Sequence, residues 1–269
     1  MPEKEYEGYI KNRYAQACEI AQTDSGLIRS WENLYALSLV FGAASVINSR
    51  LCHEHPIKFE SPEGVRIEIY NSFAGKIPVI YAQNRNDFEQ LVIALSYEDR
   101  QADEGMIAQM GASFISSEST RFMILSSKPY SNVPADELGL GESEWAEKSV
   151  VIRRSHECVH FFTKQIYAIA NNNLHDELMA DLIGIHDAFG YYKAEWFLRF
   201  MGLIGTSGGR LRVYTNGLSE QTTAAVAEIA RKAAYGLEKW SESKEFSELS
   251  NAGRIKSMCA LGIEGMAEL

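Results

Sequence analysis

The sequence predicts an α+β fold, in which helices and a small mixed sheet come first and a mainly helical half follows. All six prolines lie within the first 134 residues, so the remaining 135 residues lack the strongest helix breaker. Short apolar runs separated by turn residues occupy positions 56–127, a pattern typical of strands. We therefore predict an N-terminal α+β lobe at residues 1–140 and a helical lobe at 141–269, either separate or integrated into one domain.

Two helices are predicted to open the chain. Apolar and aromatic residues recur at helical spacing from Tyr6 through Tyr14 to Ala21, and a second helix is expected from Ser25 to Ser49. The most apolar part of the second helix, Leu34–Ile47, has 14 residues, whereas a membrane-spanning helix needs about 20. We therefore predict a buried core helix and no membrane partner.

The region that follows predicts strands around one helix. Val65, Ile67 and Ile69 alternate with polar or amphipathic residues, which indicates a strand with one buried face. Further strands are expected at Val79–Tyr81, Ser113–Ser116 and Arg121–Leu125, with a turn at Ser117-Glu118-Ser119, and a helix capped by Asn86 is expected over Asp87–Leu95.

The composition excludes several classes of protein. The chain has 269 residues, of which 46% are hydrophobic and 23% are charged, a balance typical of a folded globular protein rather than a disordered one. The formal net charge is −10, whereas a surface that binds nucleic acid is usually basic. We therefore expect no nucleic-acid partner.

The cellular compartment is predicted from the N-terminus and the cysteines. The first residues, MPEKEYEGYIKNR, are acidic and amphipathic, without the basic start and apolar run of a secretory signal. Cys18, Cys52, Cys158 and Cys259 are far apart and form no disulfide pattern. We expect a reducing compartment, the cytoplasm.

One motif in the predicted helical lobe carries chemistry. Residues 155–160 read Ser-His-Glu-Cys-Val-His, so that His156, Glu157 and His160 satisfy the pattern H-E-x-x-H. In a helix, residues four apart differ by about 40° around the axis, which lets both imidazoles reach one Zn²⁺. Glu157 would stand beside them, where a carboxylate can accept a proton from water that the metal activates.

A second helix with two carboxylates follows the motif. Asn173 is predicted to cap this helix, which carries Glu177 and Asp181 four residues apart on one face. The segment Glu-Leu-Met-Ala-Asp, together with H-E-x-x-H, resembles the gluzincin branch of zinc metallopeptidases. The resemblance spans about 30 residues, from Arg153 to Ile183, and its joint pattern is stronger evidence for a zinc site than for any substrate.

The resemblance implies a fold, a cofactor and a role for each motif residue. It implies a zincin-like α+β fold with one Zn²⁺ per chain, held by His156, His160 and Glu177. Glu157 would be the general base and Asp181 the partner of a ligand histidine. By analogy with zincins, the strand Arg121–Leu125 would border a cleft between the lobes and pair with an extended substrate.

Helix length leaves the third ligand open between two residues. If the first helix ran unbroken to Ala170, His160 would lie about 15 Å from its end, while Glu177 would lie only about 6 Å into the next helix. An antiparallel pair of helices would then match His160 with Asp181. We therefore expect the first helix to end or bend near Gln165–Tyr167, and Asp181 remains the alternative ligand.

Other metal-binding residue types are predicted to lie outside the site. His175 and Asp176 fall at the helix start. We expect His175 to be exposed to solvent and Asp176 to cap the helix, so neither is needed as a metal ligand. His186 is half a turn away from Glu177, so it should face away from the metal. Cys52-His53-Glu54-His55 is interpreted as a loop, and Cys158 is expected to pack.

A zinc hydrolase also needs a donor for the oxyanion that forms during the reaction. The stretch Gly205–Gly209 allows close backbone approach, and if the residues after it are extended, Arg210, Arg212 and Tyr214 share one face. Arg210 and Tyr214 are therefore predicted to contact substrate.

The function predicted from these residues is zinc-dependent hydrolysis of a peptide or amide bond in a peptide or protein substrate. Two alternatives remain. One is a zincin-fold binding or regulatory protein without peptidase activity, and the other is a metal-free helical interaction protein. The sequence leaves the oligomeric state open.

Overall fold

The structure is a computed structural model that describes residues 2–19, 27–96, 107, 110–116, 120–169 and 173–269. It contains two compact units. The helical unit comprises Met1–Gln22 and Pro129–Leu269, and the sheet unit comprises Thr23–Lys128. The first residues of the chain thus group with its C-terminal half, and the later boundary lies at 128/129, whereas the sequence predicted a single boundary at 140/141.

Both units are built from regular elements. The described strands are β1 (Val65–Ser72), β2 (Gly75–Ala82), β3 (Ala112–Ser116) and β4 (Arg121–Ser126). The described helices are α1 (Pro2–Ile10), α2 (Leu27–Phe41), α3 (Ala43–Arg50), α4 (Arg85–Ser96), α5 (Glu142–Tyr167), α6 (Leu174–Phe189), α7 (Ala194–Met201), α8 (Leu211–Tyr214), α9 (Glu220–Ser241), α10 (Lys244–Glu248) and α11 (Asn251–Ala267). Short 3-10 turns cover Pro62–Gly64, Tyr130–Asn132 and Ala135–Leu138. The predicted α+β class and the mainly helical second half are confirmed.

The sheet unit contains a mixed four-stranded sheet in the order β1-β2-β4-β3. β1 and β2 form an antiparallel hairpin, β2 and β4 are parallel, and β3 is antiparallel to β4. Met123 of β4 is opposite Val79 of β2 on one side and opposite Phe114 of β3 on the other. Because β4 is paired along both edges, the prediction that it pairs with an extended substrate is wrong.

The core of the sheet unit explains why these segments form strands and helices. Val65 and Ile67 of β1 are buried, while Arg66 between them is exposed, as the alternation predicted. Helices pack on this sheet through a cluster of buried side chains that includes Trp31, Ile47, Phe88, Ile80 and Ile124. Burial of these apolar side chains favours the folded state.

Two details of the sheet unit differ from the sequence prediction. The single helix expected over residues 25–49 is two helices, α2 and α3, because Gly42 adopts a left-handed conformation with φ of 80°. The cap of α4 is Asn84 rather than Asn86, since Oδ1 of Asn84 accepts a hydrogen bond from the backbone N–H of Asp87. A side chain inside the helix cannot cap it.

The N-terminal helix is shorter than predicted. α1 ends at Ile10, and Tyr14 lies in irregular structure, although the helical spacing continued past it. Asn12 explains the end of the helix, because its Oδ1 accepts a hydrogen bond from the backbone N–H of Tyr14 at 2.9 Å. The amide of Asn12 also donates to the carbonyls of Cys259 and Ala260. Ala21 lies outside the described residues, as do the predicted turn residues 117–119.

The residues of the sequence motif lie on two helices of the helical unit, α5 and α6. α5 ends at Tyr167, and Ala168 follows in a left-handed conformation with φ of 54°. This end lies within the range that the sequence predicted, Gln165–Tyr167.

Within the described residues, no helix combines the length and apolar character needed to span a membrane. All four cysteines lie in the described part of the chain, and none of them forms a disulfide.

Candidate metal centre

The two histidines of the motif lie on one face of α5. His156 is buried and His160 is partly exposed, and their Nε2 atoms are 3.0 Å apart. A separation of four residues in a helix produces this arrangement, since it brings side chains to neighbouring positions on one face. Both imidazoles therefore direct one nitrogen to the same point.

Glu177 reaches the same point from the first turn of α6. Asn173 caps this helix as predicted, because its Oδ1 accepts hydrogen bonds from the backbone N–H groups of His175 and Asp176. The cap fixes where α6 begins and thereby sets the position of Glu177. Oε1 of Glu177 lies 3.4 Å from Nε2 of His160, and Oε2 lies 3.6 Å from Nε2 of His156.

These three residues fit a tetrahedral metal ion. Bonds of about 2.0–2.1 Å to a tetrahedral Zn²⁺ place neighbouring donor atoms about 3.3 Å apart. The two Nε2 atoms are 3.0 Å apart, and each carboxylate oxygen of Glu177 lies near one of them, Oε1 at 3.4 Å from His160 and Oε2 at 3.6 Å from His156. With one donor atom taken from each residue, the three atoms lie within 4.8 Å of one another. Two imidazoles and one carboxylate are also a donor set typical of zinc. His156, His160 and Glu177 could therefore hold one metal ion.

Asp181 contacts the opposite nitrogen of His156. Its Oδ1 lies 2.9 Å from Nδ1 of His156. Nδ1–H can donate to this carboxylate, which leaves Nε2 as the nitrogen that faces His160 and Glu177. The geometry thus matches Glu177 with the metal-binding position and Asp181 with the orienting position, although the sequence left the two open.

Tyr130 belongs to the site, although no motif in the sequence indicates it. Its buried hydroxyl donates a hydrogen bond of 2.6 Å to Oδ1 of Asp181 and lies 2.8 Å from Nδ1 of His156. The indole of Trp145 donates to the carbonyl of Val133, which ties the segment after Tyr130 to α5. The sequence signal was weak, since a tyrosine in a stretch rich in proline and serine is common in loops.

Arg210 and Tyr214 reach the site, but not on an extended segment. Residues 211–214 form the short helix α8, so the prediction of a strand with three residues on one face is wrong. In a helix, Arg210 and Tyr214 are one turn apart and share a face, whereas Arg212 is exposed. Burial and the nearby charge of Glu177 raise the pKa of the Tyr214 hydroxyl. A direct contact of Arg210 or Tyr214 with substrate stays a prediction.

Arg210 contacts three other side chains of the site. Nη1 donates to the hydroxyl of Tyr130 at 3.0 Å and to Oε2 of Glu177 at 3.2 Å. Nη2 donates to Oδ2 of Asp181. The guanidinium therefore bridges the two buried carboxylates of α6.

Charge pairing dominates the electrostatics of the site. Burial raises the pKa of the Glu177 carboxyl, but the charge of His156 and the hydrogen bond with His160 lower it more, so this pKa lies well below its usual range. Burial lowers the pKa of His160, yet the contacts with Glu177 outweigh it and raise the pKa to about 9. The pocket therefore favours positive charge between the histidines and Glu177, as a metal ion would supply.

Glu157 is half-buried beside the histidines. Its charge raises the pKa of His160 and opposes the effect of burial on Arg153, whose pKa is lowered to about 10. Glu157 is thus within electrostatic range of the candidate metal site without being one of its three donors.

The remaining candidates lie outside the donor set. His175 is buried and not exposed as predicted, because its Nε2 contacts the carbonyl of Met258 at 3.0 Å. Asp176 does not act as the cap. It is buried and accepts a hydrogen bond of 2.7 Å from the Tyr14 hydroxyl. His186 packs against the ring of Phe246, as expected of a histidine on the other side of α6.

The predictions for Cys158 and for the segment Cys52-His53-Glu54-His55 agree with the structure. Cys158 is fully buried within α5. Residues 51–55 form turns after α3, and the side chains of His53 and Glu54 are exposed at 70% and 78%. No part of this segment joins the three-residue donor set found among the described residues.

Comparison with known proteins identifies a family without an assigned activity. Residues 42–119 and 117–269 match a family described as a family of unknown function, DUF7005. Neither a curated protein nor a solved structure matches the chain.

Proposed function

This chain belongs to the DUF7005 family of unknown function, and we propose that it is a zinc-dependent hydrolase, a metallopeptidase that cleaves peptide or amide bonds. The observation that carries the proposal is the arrangement of His156, His160 and Glu177, whose donor atoms lie within 4.8 Å of one another. The two Nε2 atoms are 3.0 Å apart and Oε1 of Glu177 lies 3.4 Å from Nε2 of His160, which are separations close to those between ligands of a tetrahedral ion. The proposed fold is zincin-like, with one Zn²⁺ per chain.

The donor set also supports a catalytic rather than a purely structural metal. Structural zinc sites use four protein ligands, whereas catalytic sites use three and keep one position for water or substrate. In the described part of the chain, the donor group contains three residues. Zinc, when bound to such a set, lowers the pKa of water to about 7 and polarises a carbonyl group.

Glu157 supplies the proton transfers in this proposal. Its carboxylate lies beside the donor set on α5, one residue from His156 and three from His160. It accepts a proton from the attacking water and later gives this proton to the nitrogen of the leaving amine. Asp181 holds His156 in one tautomer, so that Nε2 stays free for the metal.

His160 is the most exposed of the three donor residues. Its side chain is 18% exposed, whereas those of His156 and Glu177 are 7% and 1% exposed. Glu157, three residues before His160 on α5, is half-buried. These exposures support the proposal that a substrate reaches the donor set from the side of His160 and Glu157.

The decisive experiment separates zinc binding from proton transfer. Wild-type protein and Glu157→Gln are incubated with a mixed peptide library, cleavage is read by mass spectrometry, and bound zinc is measured by atomic spectroscopy. The matched control is Glu147→Gln, an exposed glutamate on the same helix. We expect Glu157→Gln to keep its zinc and lose cleavage about 10²-fold or more, and Glu147→Gln to resemble the wild type.

Two results would overturn parts of the proposal. Equal cleavage by wild type and Glu157→Gln would assign the activity to another group or to a contaminant. Full zinc content without cleavage by the wild type would leave a zinc-binding protein that is not a peptidase.

A further inference from the structure

Arg210 is the residue that joins the two carboxylates of α6. Glu177 and Asp181 are buried, and they lie four residues apart on one helix face. Two carboxylates so placed repel each other in a medium of low polarity, and removal of water makes each costly to keep charged. The guanidinium bonds to Oε2 of Glu177 and to Oδ2 of Asp181, which fixes the position of both groups.

Tyr130 connects Arg210 to His156 as well. The tyrosine hydroxyl accepts a hydrogen bond from Nη1 of Arg210 and donates one to Oδ1 of Asp181. The same oxygen of Asp181 lies 2.9 Å from Nδ1 of His156. Arg210 therefore acts on Glu177 directly and on His156 through Asp181 and Tyr130.

A glycine-rich loop determines where Arg210 lies. Gly208 has a φ of 79°, and a Cβ atom at this position would lie 2.1 Å from the carbonyl oxygen of Arg199. A Cβ atom on Gly202 would lie 2.5 Å from Cα of Gly209. Only glycine permits this close packing of the loop against the end of α7. The close approach that the sequence predicted at these glycines thus involves the protein's own backbone and directs Arg210 toward α6.

We propose that Arg210, held by this loop and by Tyr130, is a positioning residue that sets His156 and Glu177 in the arrangement that binds metal. The inference rests on the proposed zinc site and adds a residue that the motif does not contain. An arginine suits the task because its planar fork of donors can bond several acceptors at once, whereas a lysine presents a single point charge.

Arg210→Lys is the sharpest test, because it keeps the positive charge and removes the fork. If the charge alone mattered, this variant would behave as wild type does. We expect it to bind zinc about 10-fold more weakly in competition with a chromophoric chelator, as is typical when groups that orient metal ligands are changed. The visible absorption of the cobalt-substituted protein should change as well, because that absorption reports the geometry around the ion.

Two variants and one control accompany it. Gly208→Ala changes no charged group but displaces the loop, so its cobalt spectrum should change in the same way as that of Arg210→Lys. Tyr130→Phe removes only a hydroxyl and should also alter the spectrum. Arg212→Lys, at an exposed position two residues away, should match the wild type in affinity and spectrum. Circular dichroism checks that each variant is folded.

The outcomes separate this inference from the proposed function. Wild-type affinity and an unchanged cobalt spectrum in folded Arg210→Lys would overturn the role of Arg210 and leave the zinc site intact. Failure of the wild type to bind zinc or cobalt would overturn both. If Arg210→Lys does not fold, unchanged spectra in Gly208→Ala and Tyr130→Phe would overturn the inference on their own.

Discussion

Oε1 of Glu177 lies 3.4 Å from Nε2 of His160, although the two residues belong to different helices. One turn forward in α6 and one turn back in α5, Oδ1 of Asp181 lies 2.9 Å from Nδ1 of His156. The two pairs show that α5 and α6 run antiparallel and in a specific register. A slip of one turn would match Asp181 with His160, which was the alternative that the sequence left open.

Removal of one histidine should remove the metal. We expect the purified wild-type protein to contain close to one Zn²⁺ per chain and His160→Ala to lose most of it, because two ligands remain. Atomic spectroscopy after dialysis measures both contents. His53→Ala, which changes an exposed histidine in the sheet unit, serves as the control and should keep the metal. Full zinc content in His160→Ala would refute the assignment of this ligand.

Glu177 and Asp181 should differ in how strongly they affect zinc binding. Glu177→Ala removes a donor and should abolish stoichiometric binding, whereas Asp181→Asn should weaken zinc affinity about 10–100-fold, as is typical for groups that orient a ligand histidine. Calorimetric titration with zinc compares the two. Asp187→Ala, at an exposed position on the same helix, should have no effect. Loss of binding in Asp181→Ala together with retention in Glu177→Ala would exchange the two roles.

The hydroxyl of Tyr14 should contribute to stability. It donates a hydrogen bond of 2.7 Å to the buried carboxylate of Asp176, and Tyr14→Phe would leave that carboxylate without this donor. We expect a loss of about 1–3 kcal/mol in the free energy of unfolding, measured by urea denaturation followed by circular dichroism. Tyr235→Phe, at an exposed position of the same unit, should change stability little. Equal effects of the two variants would contradict the prediction.

The four cysteines should react at very different rates. Cys18 is exposed, whereas Cys52, Cys158 and Cys259 are buried. Burial and the nearby charge of Asp176 raise the pKa of Cys259 to about 12, so little of it is thiolate at pH 8. We expect one fast thiol per native chain with a chromogenic disulfide reagent and four after unfolding. Cys18→Ser should remove the fast phase, and a second fast thiol in that variant would show that a buried cysteine is accessible.

Local features of the candidate metal centre could be predicted from the sequence because they depend on neighbouring residues. The spacing of His156 and His160 determines a shared helix face wherever the segment is helical. The cap at Asn173 follows from backbone preferences of a few residues. The end of α5 near Tyr167 was expected for a different reason, since an earlier end lets Glu177 rather than Asp181 meet His160. Strand positions in the sheet unit were also predictable, since alternation of buried and exposed residues is a local pattern.

Contacts between distant residues were decided by the tertiary structure. Tyr130 meets Asp181 across 51 positions of sequence, and Tyr14 meets Asp176 across 162. Periodicity reports the backbone conformation of a segment and the face it buries, but it carries no information about which distant side chain will lie opposite. For the same reason the sequence placed Arg210, Arg212 and Tyr214 on one face of an extended segment, whereas residues 211–214 are helical. The packing of the glycine loop against α7 and the contact with Tyr130 accompany the bonds of the Arg210 guanidinium to Glu177 and Asp181.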